Sequence, residues 1–314
     1  MNIIKKLLGF RESTLFFILL VVGIIMSFLS PYFLTAGNIK TTILSFAING
    51  IVAIGMSIVL ISGGIDLSVG SVMAFTGAIT GAIFQVGGNI WIASLIGIII
   101  SMLIGSVNMF FITKIGLSPF ITTLAMTGIA RGGTYVVTKG LPLSLYSMPN
   151  NFKFLGSGNI GPIPFVIILF VLLIIVSDFM VRKSTIFRKV FYVGSNSKAA
   201  KFSGIRVNRT IAFVYILSSL LAGIAGILQI ARFATATPSS SIGVEMQAIS
   251  ACVIGGASLA GGEGSILGSV FGIALLSVIS SSLVLLNISV YWQELISGVI
   301  LLLAVSIDYI THKK

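Results

Sequence analysis

Few residues in this chain are equipped for chemistry. Among 314 residues there are seven acids, one histidine and one cysteine. Asp66 lies in SGGIDLSVGS, residues 62–71, between glycines and serines in otherwise apolar surroundings. A charged side chain at mid-bilayer depth costs about 2.5–3.5 kcal/mol on insertion scales, so it faces a bundle interior or a wet path rather than lipid. Three roles are open to it. It can anchor the helix that starts just after it, because free N–H groups and the macrodipole favour an acid there. It can pair with a cation, or it can line a path with Ser68. Asn108 is an amide that donates between helices or meets a hydroxylated ligand. Glu245 and Glu263 are further gate or path candidates, while Arg131 and Arg232 are either substrate-side or snorkelling residues, with snorkelling toward an interface the default for both. A lone Cys252 rules out a disulfide framework and a thiolate metal cluster. A lone His312, in the THKK tail, rules out a histidine-rich metal site and a Ser-His-Asp triad in a folded core. No metal and no cofactor are expected, and transport stands ahead of hydrolysis.

The elements that must position these residues are membrane helices. The chain is 56% hydrophobic and 8% charged, with a mean hydropathy of +1.15, too little polar surface for a soluble globule. Apolar segments fall near 14–33, 42–61, 66–86, 91–113, 119–138, 163–181, 211–231, 245–261, 264–286 and 292–310. The fold class is therefore an all-α polytopic membrane protein of about ten transmembrane helices, one domain over 1–314. The first segment follows a basic flank like a signal peptide, but it is too long for one and lacks a small-residue cleavage site. It reads as a first span.

A net charge of +12 would suggest nucleic acid in a soluble protein. Here the cations cluster between apolar segments, which is a topological signal and not a nucleic-acid footprint. Between Arg182 and Arg209 there are eight cations and no acid, so the 182–210 loop is expected on the cytoplasmic side. Lys5, Lys6 and Arg11 place the N-terminus there, and Lys313 and Lys314 place the C-terminus there. Six spans before the loop and four after it satisfy all three assignments. The 139–162 segment is then external, an ordered loop or short interfacial helix, with Tyr291 and Trp292 at the outer headgroup level. A faint echo between GGIDLSVGS and SSSIGVEMQAIS, around Asp66 and Glu245, suggests that spans 2–5 and 7–10 form an inverted repeat, with a path at their interface. Gly264, Gly268 and Gly272 make overlapping GxxxG steps for close packing.

The basic loop contains GSNSKAAKFSGI, residues 194–205. Asn196 or Ser197 can cap, KAAKFS gives one to two helical turns, and Gly204 supplies a left-handed stop. So short a helix persists only when packed against something.

Here the chain resembles a family. Gly194, Asn196, Ala199, Ala200, Ser203, Gly204 and Ile205 match the loop by which permeases of bacterial ABC importers engage their ATPase subunits. Lys198 stands where many such loops carry Glu, which fits the sugar-importing branch. GGIDLSVGS (63–71), NMFFITKIGLSPFITTLAMTGIARG (108–132) and GGASLAGGEGSILGSVFG (255–272) are similar to the ribose-type permeases of carbohydrate importers, from about residue 30 to 310. The resemblance implies a bacterial inner-membrane transport subunit that is not an enzyme. It also implies a second permease copy, in a homodimer or heterodimer, a cytoplasmic ATP-binding subunit docked on 194–205, and an extracytoplasmic sugar-binding protein. The chain itself has no G-x-x-x-x-G-K-[ST] phosphate loop. The expected cargo is a simple sugar, a pentose such as ribose or xylose, with autoinducer-2 or another sugar as alternatives. A further alternative is an ion-coupled transporter using Asp66, Glu245 or Glu263. A neutral, hydrated sugar needs a path of hydroxyl and amide groups with replaceable contacts, and the Ser, Thr and Asn content of spans 2–5 and 7–9 suits that. By charge parity the junction of spans 2 and 3 lies toward the cytoplasm, so Asp66 is expected as a helix-start anchor near the inner gate and not as a carboxylate at the midplane.

Overall fold

A computed structural model describes residues 11–312. Lys5, Lys6, Lys313 and Lys314, which carry much of the argument for the chain ends, lie outside these residues. The chain forms a helical bundle: α1 Arg11–Leu29, α2 Ala36–Ile61, α3 Val69–Gln85, α4 Ile90–Phe110, α5 Pro119–Thr138, α6 Asn150–Ser157, α7 Phe165–Lys183, α8 Thr185–Ser195, α9 Ser197–Phe202, α10 Val207–Phe233, α11 Val244–Ile254, α12 Ile266–Leu285 and α13 Val290–His312. A π-helical turn, Phe111–Ile115, extends α4. All ten expected segments fall on helices. Five of the helices are long and apolar enough to cross a membrane.

Two boundaries differ from expectation. The third span becomes helical only at Val69, because residues 62–68 run as irregular backbone before it. The eighth segment is helical only over the eleven residues of α11, about 16 Å at 1.5 Å per residue. That is half a bilayer core. The rest of that segment, 255–261, belongs to a glycine-rich turn that runs on to residue 265.

The core is built on α2 and α10. Fifteen residues of α2 are buried, twelve of them in an unbroken stretch from Gly50 to Ile61, and α10 packs against α2, α3 and α4. Helices in lipid gain little from hydrophobic transfer against one another, so close van der Waals approach must hold them. Gly226 of α10 lies directly on the Met73 backbone of α3, leaving no room for a side chain. Gly268 and Gly272 likewise meet the backbone of Gly255 and Ala251, seating α12 on α11, while Gly264 meets the Ile61 side chain. By contrast α7 is mostly unburied and studded with exposed Leu, Ile and Phe, a surface for acyl chains.

Element order repeats. A long helix, an irregular segment and three further helices run through α2–α5 and again through α10–α13. The starts of the two shorter helices meet: Gly70 of α3 is packed against Ser241 and the Glu245 carboxylate at the start of α11. At one end, β1 Leu143–Ser144 pairs antiparallel with β4 Thr235–Ala236, and α6 caps the bundle. A second small hairpin joins β2 Asn159–Ile160 to β3 Ile163–Pro164. At the other end lie α8, α9 and the basic segment.

Candidate functional site

The irregular segment after α2 turns back into the bundle. Gly55 of α2 packs closely on the Ser218 backbone in α10, and Ser218 Oγ donates to Asp66 Oδ2 at 2.9 Å. Asp66 is thus level with a residue six positions before the end of α2, about 9 Å inside that end. Backbone without helical partners survives at such depth only when side chains satisfy it. Here they do. Thr123 of α5 accepts from Leu67 N at 3.1 Å and donates to Ile65 O at 3.3 Å, Thr127 donates to Leu67 O at 2.8 Å, and the Tyr215 hydroxyl donates to Ile65 O at 3.3 Å.

Asp66 closes this arrangement. Its Oδ1 accepts from the backbone N and the hydroxyl of Ser68, at 3.0 and 2.6 Å. Asn108 Nδ2 donates to Ser68 Oγ at 3.1 Å. Asp66, Ser68 and Asn108 all have zero exposure. Three of the five path candidates therefore form one sealed polar cluster joining α3, α4 and α10 at the start of α3. Asp66 sits just before the start of α3, within the bundle, because residues 63–68 turn back into it.

Glu245 lies elsewhere, half-buried in the first turn of α11, where its Oε1 accepts from Gly243 N at 3.3 Å. The irregular segment before it is held by Arg131, whose Nη1 donates to Pro238 O and Ser240 O at 2.7 and 2.8 Å. Ser241 Oγ donates to Gln229 Oε1 at 2.7 Å. Arg131 does not snorkel. Five donors on one planar group let it hold two carbonyls at once, a better use of a charge than an unpaired reach to the surface. Glu263 is exposed in the turn between α11 and α12, its carbonyl accepting from Ser258 N at 3.2 Å.

A cavity of about 340 Å³ opens between α2, α11 and α12, lined by Val284 and by residues that each carry a hydroxyl or an amide: Asn38, Thr41, Thr42, Ser45 and Asn49 from α2, Gln247 from α11, and Ser277, Ser280 and Ser281 from α12, whose aliphatic parts supply much of the wall. Among the described residues no carboxylate lines it. Asn49 Nδ2 donates to Gln247 Oε1 at 3.0 Å, and Thr42, Ser281 and Asn38 form a chain of 2.9 Å bonds. The buried Ser277 hydroxyl has no partner. Arg232 of α10, like Arg131, turns inward, donating to Ser45 Oγ at 3.1 Å and Thr41 O at 3.3 Å beside the lane.

At the basic end, Asn196 caps α9 by accepting from Ala199 N at 2.9 Å, and Gly204 ends it with φ +81. Ile205 N closes on Ala200 O at 3.0 Å. Ala200 is buried, whereas Ala199, Ser203 and Gly204 are exposed. Gly194 differs from its neighbours in the motif. It sits on Ile61 O and Gly262 N, with no space for a Cβ, while Gly262 N itself donates to Ile61 O at 2.8 Å. The α2 turn and the α11–α12 turn thus meet beneath the last turn of α8.

The family model described as the permease component of branched-chain amino acid transport systems matches residues 38–305. The ribose import permease of Escherichia coli K12 is 36% identical over 292 residues, covering 92% of this chain and 91% of the relative. The Bacillus subtilis ribose import permease is 36% identical over 290 residues, 92% and 90% of the two chains. The L-arabinose permease of E. coli K12 is 37% identical over 283 residues, 90% and 86%. The chain belongs to the ribose-type ABC-importer permeases. No solved structure matches it. A permease of this family is a multi-pass inner-membrane subunit of a sugar importer and not an enzyme; ATP hydrolysis belongs to a separate subunit, and a substrate-binding partner completes the importer.

Two features of this permease escape the motif strings. Phe202, at the end of α9, is 93% exposed, an apolar ring left bare at the basic end. The lane residues of α2 recur at Asn38, Thr41, Thr42, Ser45 and Asn49, three or four residues apart. That polar stripe on an apolar helix is the signal that would have found the cavity.

Proposed function

We propose that this permease carries a neutral pentose, such as ribose or xylose, along the lane between α2, α11 and α12. The observation that carries the reading is the lining: amides and hydroxyls in a cavity of about 340 Å³ with no carboxylate. Each such group exchanges a hydrogen bond with water for one with a sugar hydroxyl at small net gain, about 0.5–1.5 kcal/mol. Weak bonds of that size let a polyol step along without being trapped. An ion-coupled carrier would instead place an acid in the lane, whereas Asp66 is sealed and Glu245 is turned onto its own backbone. The relatives named for ribose and for L-arabinose both carry five-carbon sugars, which favours a pentose.

In the full importer a second copy of this chain or a close relative completes the path, with residues 1–314 as one permease domain in each. A cytoplasmic ATPase docks on α9 through Ala199, Ser203, Gly204 and the exposed Phe202. An extracytoplasmic binding protein delivers sugar at the α6 end, and both chain termini face the cytoplasm. Gly194 supports this arrangement, because it lies in the last turn of α8, directly before α9, and rests on the inner turns of both halves. The test is uptake of labelled pentose into vesicles holding the permease, its ATPase and its binding protein. Uptake should require ATP and persist with a protonophore; collapse with the proton gradient would favour the ion-coupled carrier.

A further inference from the structure

The basic end holds a second cavity, of about 610 Å³, between the π-turn that ends α4 and the segment joining α9 to α10. Five cations line it: Lys114 from the π-turn, Lys198 and Lys201 from α9, and Arg206 and Arg209 at the entry to α10. Among the described residues no carboxylate lines it. Its two walls are tied together by Asn208 Nδ2, which donates to Thr113 O in the π-turn at 3.2 Å. Five like charges around one cavity repel one another unless an anion enters.

We infer that this cavity binds the phosphodiester of an anionic phospholipid in the inner leaflet. Location decides between anions. Lys114 lies at the end of the apolar span Ile90–Ile115, where headgroups meet water. Phe111, Ile115 and Leu117, on either side of Lys114, are exposed large apolar residues. A free phosphate has no use for them, but acyl chains below a bound headgroup do. Basic cavities between helices at the cytoplasmic side are suited to such headgroups. Phe202 does not line the cavity, so a protein docked on α9 is left its own contact. Because Asn208 and Arg209 begin α10, a bound lipid would brace the base of the central helix.

The test uses the purified full-length permease in native mass spectrometry with phosphatidylglycerol or phosphatidylcholine, beside the variant Lys114→Gln/Arg209→Gln. The wild type should retain phosphatidylglycerol preferentially. The variant should bind it roughly 25-fold more weakly, about fivefold for each cation lost near the surface. Equal retention by the two proteins would overturn the inference. So would displacement of the lipid by excess inorganic phosphate, which would mark a free-ion site. Loss of ATPase co-purification with unchanged lipid retention would assign the cavity to an acidic protein surface instead. If the variant fails to fold, the wild-type preference for phosphatidylglycerol must still weaken as salt rises; a salt-indifferent preference overturns the inference.

Discussion

The cluster around Asp66 and the lane around Gln247 are both polar sites inside one apolar bundle, and they are built to opposite rules. At Asp66 a carboxylate gathers donors from α3 and α10 at zero exposure, and the neighbouring threonines and Tyr215 satisfy the irregular backbone. In the lane, neutral groups bond mainly to one another, a hydroxyl is left without a partner, and the space stays open. Polar groups in a membrane protein can fix architecture or conduct a cargo. A buried carboxylate with three donors suits the first use, even though the neighbouring Asn108 Oδ1 has no partner among the described residues, and neutral groups around open space suit the second.

The comparison breaks most readily at Asp66. Asp66→Ala leaves the Ser68 N–H and the Ser68 and Ser218 hydroxyls without their acceptor, at a cost of about 3 kcal/mol or more in summed desolvation. The yield of monodisperse protein and its melting temperature should fall sharply, with Asp66→Asn intermediate because it keeps an acceptor oxygen. A variant that melts like the wild type but no longer transports would place Asp66 on the path and erase the distinction.

Gly194→Val tests the same rule at the basic end. A side chain there collides with Ile61 O and Gly262 N, and overpacking of this kind costs about 1–3 kcal/mol. Melting should drop, whereas Ala199→Asp, on an exposed face, should leave melting unchanged and reduce ATPase co-purification. If both variants behave alike, Gly194 is a docking residue and not a pivot.

Much of this was legible in advance, for reasons specific to each element. The basic loop wrote its own topology, and Asn196 and Gly204 marked the ends of α9 because a cap and a left-handed stop need those residue types. The signature around Asp66 gave a helix start but not its depth. Charge parity sees only which side a junction faces, whereas the re-entry of 63–68 depends on Thr123, Thr127 and Ser218, donors that lie 55 or more positions away in sequence. Snorkelling, the default for Arg131 and Arg232, is not what the structure shows, since their carbonyl partners lie far away in sequence, in the irregular segment before α11 and on α2. The lane was missed because its residues are individually ordinary, and only their helical spacing brings them to one face.

Within the lane the expected balance reverses, with function more sensitive than stability. Gln247→Leu removes the acceptor of Asn49 and one sugar-facing amide. Melting should shift by no more than about 1 kcal/mol equivalent, while uptake should fall roughly fivefold, one hydrogen bond in the rate-limiting passage. Normal uptake would move the path away from α11.

The smallest change is the sharpest discriminator. Ser277 is buried on the lane with its hydroxyl unpartnered, and an unsatisfied buried hydroxyl costs a folded protein stability. Ser277→Ala should therefore leave the melting temperature unchanged or raise it slightly, within about 0.5–1 kcal/mol. If the hydroxyl is kept to meet a passing sugar, the same variant should lose two- to threefold in uptake, about half a kcal/mol. A stabilised protein with slower transport is the signature of a polar group held for a cargo. A hydroxyl at Asp66, where every donor has its acceptor, cannot produce it.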